Sequence, residues 1–194
     1  MATSNVSYVE WGAVIAGTVL ATAISAILLQ FGSGLGLSAS KEWAGEPERI
    51  RWLIIASGLW LLWVQVTAAM AGGYLAGRMR RPLEVSNTHE SEVRDGAHGL
   101  LVWASGTVVT IAGLAFMAFL AALAPQHAAE AQAQMDAGTT HHFAKVAGLI
   151  FGFGATATSM VAAVAAWWAA TLGGDHRDRS VDFSRYLSFR VVRR

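Results

Sequence analysis

The chain contains no cysteine, which excludes disulfides, thiolate metal sites and cysteine nucleophiles. Charge is scarce too: Asp, Glu, Lys and Arg make up 14% of the 194 residues, against about 25% in an ordinary soluble domain. What charge there is crowds the loops and the segment after Gly174. No ionisable side chain lies deep in an apolar run, and pumps, proton relays and ion-coupled transporters rely on such residues. Phosphate-binding glycine loops and other catalytic motifs are also missing.

What is present is apolar length. Hydrophobic residues make up 54% of the chain, and mean hydropathy is +0.43. They gather into four runs, about 11–37, 52–77, 97–125 and 143–174. Crossing the hydrocarbon core takes roughly 20 apolar residues, and backbone polar groups in lipid must be paired within the element. The expected fold is therefore all-α: a polytopic membrane protein of four transmembrane helices in one domain, 1–174. A basic, aromatic tail, 175–194, follows. Ser38, Ala39 and Ser40 loosely resemble a signal-peptide cleavage site, but no Lys or Arg precedes Trp11. The first run also exceeds the 7–15 residues of a signal h-region, so a retained helix is expected.

Basic residues of short loops stay in the cytoplasm. Arg78, Arg80, Arg81 and Arg94 fall between the second and third runs, and Arg177, Arg179, Arg185, Arg190, Arg193 and Arg194 in the tail. The other two loops hold Lys41, Arg49 and Arg51, and Lys145. Both termini are thus expected to be cytoplasmic. Trp11, Trp103, Trp167 and Trp168 would mark the cytoplasmic ends, Trp43 and Trp52 the outer face.

Lipid tails are as apolar as leucine, so helices associate in a bilayer through close backbone approach at small residues. Such residues recur at helical spacing: Gly17, Gly32 and Gly36 in helix 1, Gly73 and Gly77 in helix 2, and Gly148 and Gly152 in helix 4. Gly99, Gly106 and Gly113, each seven apart, would form one stripe of helix 3. This exceeds what a four-helix monomer needs, so a tight bundle with surface left for a homo-oligomer or other membrane subunits is expected. Gln30 and Gln65, the deepest strongly polar side chains, are expected to hydrogen-bond between helices.

The run Glu90-Ser91-Glu92-Val93-Arg94-Asp95-Gly96-Ala97-His98 is the sharpest polar cluster. Asp95 is placed to cap helix 3, Arg94 and His98 share a face, and Arg78 is close enough for an Arg78–Asp95 pair. The preferred reading is a structural cap; the functional one is a small site for an anionic headgroup. His127, His141 and His142 are candidate ligands for zinc or copper, but solvated loop histidines are preferred. No cofactor is expected. The tail, with Phe183, Tyr186, Leu187 and Phe189 among its arginines, suits an anionic lipid surface rather than nucleic acid.

Gly32-Ser-Gly34-Leu-Gly36-Leu, Gly72-Gly73-Tyr74-Leu75-Ala76-Gly77-Arg78-Met79-Arg80 and Arg94-Asp95-Gly96-Ala97-His98-Gly99-Leu100-Leu101-Val102-Trp103-Ala104 resemble a group of bacterial four-helix membrane proteins, some labelled "PhnA-like". The resemblance covers about the first two-thirds of the chain. It implies a bacterial inner-membrane protein with a glycine-rich core, and no activity. The expected function is non-enzymatic, as an oligomer or accessory subunit of a membrane complex. The alternatives are an oligomeric channel or facilitator, and a membrane enzyme acting on a lipid headgroup.

Overall fold

The structure is a computed structural model that describes residues 7–35, 47–82, 87–123 and 141–181. They form four α-helices: α1 Trp11–Gly34, α2 Pro47–Met79, α3 Thr88–Leu123 and α4 His141–Asp178. Each contains a segment long and apolar enough to cross a membrane: Trp11–Gly34, Arg51–Met79, Thr88–Leu123 and Gly152–Asp178. At 1.5 Å per residue, the 36 residues of α3 and 38 of α4 run past a hydrocarbon core of about 30 Å.

The helices outrun their apolar segments, which corrects two expectations. Helix α3 begins nine residues before Ala97 and is capped by Asn87, whose Oδ1 accepts the Glu90 N–H at 2.8 Å. Asp95 therefore lies two turns inside the helix and is no cap. The tail begins later than Asp175, because α4 continues to Asp178. Hydropathy ends where charge begins, but the helical hydrogen-bond ladder does not.

The starts of α1 and α3 and the ends of α2 and α4 meet at one end of the bundle, here the charged end. α2 packs on every other helix, most extensively on α4. Contact is made backbone to backbone. A Cβ on Gly17 would fall on the Gly72 carbonyl, one on Gly73 on that of Ala166, and one on Gly77 on that of Ala170. The buried apolar residues are correspondingly small, chiefly Ala76, Ala162, Ala166 and Ala170 with Val14, Val64 and Val102. The largest fully buried side chains include Arg80, Arg94 and His98, so polar residues fill the volume that large apolar ones usually take.

Among the described residues, the opposite end is loosely packed. Gly32 and the Trp60 indole hold α1 against α2, with the Phe31 and Trp60 ring centroids 5.9 Å apart. Helix α3 is exposed at every residue from Val108 to Leu123. Gly106, Gly113, Gly152 and Gly154 have no neighbour within 4 Å of an added Cβ. The stripe expected along α3 is thus packed only at Gly99, against Ala166. Gly36 lies outside the described residues, and nothing is described around Gly148.

Candidate functional site

Two constellations stand out: a buried charge cluster at the charged end and, above it, a largely apolar crevice edged with hydroxyls. Asp95, on α3, is 2% exposed and lies between two arginines. Arg80, one residue past α2, pairs with Oδ1 through Nε and donates from Nη2 to Ser91 Oγ at 2.9 Å. Arg177, on α4, places Nη1 and Nη2 3.2 Å from Oδ1 and Oδ2. This fork suits a planar guanidinium. Arg177 also donates to the Gly77 carbonyl at 2.7 Å and that of Arg80 at 3.1 Å. These carbonyls end α2, where a helix lacks donors and carries partial negative charge. Gly174 makes room for the carboxylate, since a Cβ there would meet Asp95 Oδ2. Three helices are joined at one carboxylate.

Beside it, the segment before α1 is strapped onto α3. Arg94 donates from Nη2 to the Tyr8 carbonyl at 2.8 Å, and its guanidinium carbon lies 4.7 Å from the Tyr8 ring centroid. His98 receives the Glu10 backbone N–H on Nε2 at 2.9 Å, and its Nδ1 is 2.7 Å from the Arg94 carbonyl. An Nε2 that accepts and an Nδ1 facing a carbonyl define a neutral ring protonated on Nδ1. The Arg81 N–H donates to Glu10 Oε1 at 2.9 Å. Arg94, Asp95 and His98 thus come together in the structure. Arg78 is displaced from its expected partner: it donates to the Val181 carbonyl at 2.5 Å, while Arg80 and Arg177 hold Asp95.

The crevice, of about 490 Å³, lies where the four helices part. Ala68, Ala69, Val102 and Ala162, all buried, form its floor. Its walls alternate apolar Ala21, Ile111 and Ala155 with the polar groups of Thr22, Ser25, Gln65, Trp103, Thr107, Thr110, Thr156 and Ser159. The Trp103 indole donates to Ser159 Oγ at 3.3 Å. Trp103 lies fifteen residues into α3 and lines the crevice. Of the two glutamines, Gln65 departs from expectation at its carbonyl oxygen. Gln30 is exposed, and Gln65 Oε1 is buried with no hydrogen-bond partner.

Among the described residues no group of His, Asp and Glu suits a metal ion. His127 lies outside them, and nothing is described of the His141 and His142 side chains. Phe183, Tyr186, Leu187 and Phe189 lie outside them too. Sequence reasoning passed over Arg80, Arg177, Tyr8 and Glu10 as site residues. A usable signal existed: Arg80 continues the Gly73/Gly77 face, and Arg177 the Ala166/Ala170/Gly173 face, at helical spacing. Comparison of the chain with family models, with curated proteins and with solved structures finds no match.

Proposed function

We propose that this is a non-enzymatic, multi-pass protein of the bacterial inner membrane, with both termini in the cytoplasm, working as an oligomer or as a subunit of a membrane complex. The observation that carries the reading is the contrast between the two ends. Where the helices meet, glycine lies on backbone. Where they part, Gly106, Gly113, Gly152 and Gly154 face empty space and α3 is bare from Val108 to Leu123. Small residues are how membrane helices make room for one another, and these four glycines meet no neighbour within one protomer. The arginine bias, and the resemblance to bacterial inner-membrane proteins, support the placement and orientation.

The cluster reads as a clasp. Both Asp95 oxygens and both His98 nitrogens are engaged inside the protein, which favours a structural role over headgroup chemistry. A channel or facilitator remains the second reading, favoured by the hydroxyl-bearing walls of the crevice. The experiment is to place Leu at Gly113 and Gly152 and weigh the particle in native lipid. The proposal predicts a lighter particle that retains its helical content. An unchanged particle would contradict it.

A further inference from the structure

Four of the crevice threonines have committed their hydroxyl protons to carbonyls of their own helices. Thr22 donates to Thr18 at 2.8 Å, and Thr107 to Trp103, Thr110 to Gly106 and Thr156 to Gly152 at 2.9 Å each. The Trp103 N–H is taken by Ser159. What the threonine oxygens still offer is acceptor lone pairs. Gln65 Oε1 adds a buried carbonyl with no partner. An unsatisfied carbonyl away from water costs free energy and calls for an explanation such as a water or a ligand. No charged residue lines the walls, so nothing offsets the desolvation of an ion there. A volume of about 490 Å³ is within the range of small-molecule sites and far exceeds a single water.

We infer that the crevice is a hydrated site for a small, uncharged solute that donates hydrogen bonds, such as a polyol or an amide. The solute, with accompanying water, supplies the donors that Gln65 and the threonine oxygens lack. The packed floor and the charge clasp beneath it close the site toward the charged end. The inference rests on the proposed membrane placement.

The absence of cysteine makes the test direct, because one introduced thiol reports alone. Ser25→Cys and Thr107→Cys place it in the crevice, at half-buried positions; Val19→Cys and Val164→Cys place it on outer faces, where the native residues are 63% and 69% exposed. Each variant is reconstituted in bilayers and treated with hydroxyethyl methanethiosulfonate, an uncharged reagent carrying a hydroxyl donor. Only the thiolate reacts, and a thiolate forms only where water reaches, so crevice thiols are expected to react at least about tenfold faster than outer ones. Sulfonate- and trimethylammonium-bearing analogues are expected to lag the hydroxyethyl reagent in the crevice. Gln65→Leu is expected to slow the reaction of Thr107→Cys.

Crevice thiols as unreactive as the outer ones would overturn the inference and leave the membrane placement standing. Lipid chains, or a helix from another subunit, would then fill the space. Outer thiols as reactive as crevice thiols would overturn the membrane placement, and the inference with it. Charged reagents that match the hydroxyethyl one would contradict the preference for an uncharged solute.

Discussion

Arg177 and Asp95 face each other as a two-pronged pair, both guanidinium nitrogens at 3.2 Å from the two carboxylate oxygens, across 82 residues of chain. Arg80 closes the same carboxylate from the other side. Desolvating such a group is costly, and breaking a buried pair by removing one partner costs more than the intact pair ever contributed.

Asp95→Asn keeps the shape and removes the charge, leaving two buried arginines facing a neutral amide. A loss of about 3–5 kcal/mol is expected, read as a large fall in Tm for the purified protein in detergent. An Asp95→Asn protein of normal Tm that had lost a biological activity would instead mark the cluster as a working site.

Arg177→Lys tests the fork separately from the charge. Lysine is a point charge and cannot span both carboxylate oxygens and the α2 carbonyls together. The expected result is a lowered Tm despite unchanged net charge. Because both residues share one network, Arg177→Lys and Asp95→Asn should be less than additive in combination. Full additivity would mean the two act independently.

His98 holds the chain before α1 by accepting the Glu10 N–H. His98→Leu leaves that donor unpaired, a cost of about 1–3 kcal/mol. The effect should be local, so amide exchange and proteolysis at Ser7–Trp11 should rise while α4 is unchanged. Uniform destabilisation would show that His98 serves the core rather than the strap.

The glycines divide into two classes that alanine should separate. Gly77→Ala drives a methyl into the Ala170 carbonyl, and Gly73→Ala does the same at Ala166. Each should cost about 1–3 kcal/mol through overpacking. Gly106→Ala meets nothing within 4 Å and should leave the Tm of the isolated protein unchanged. Equal effects would mean that the loosely packed end closes in solution.

The four helices were legible in the sequence because hydrocarbon sets a length that composition must meet. The glycines at the charged end were legible too, since small residues at helical spacing have few other uses in such a segment. The stripe of Gly99, Gly106 and Gly113 misled, because spacing places residues on one face but does not say how far a neighbouring helix follows it. Arg78 was chosen over Arg80 for Asp95 because the apolar run ends near Gly77. The helix continues to Met79, and the chain just beyond it turns Arg80 inward. Arg177 was hidden by the view of everything after Gly174 as a tail. Gln65 looked like interhelical glue, yet α1 and α3 stand back from it across the crevice.

The most direct measurement is the mass and composition of the particle extracted from its own membrane in a mild, lipid-preserving medium. The account predicts either several copies of this chain or this chain with other membrane subunits, covering the small-residue faces around Gly113 and Gly152. A single chain surrounded only by lipid would contradict it.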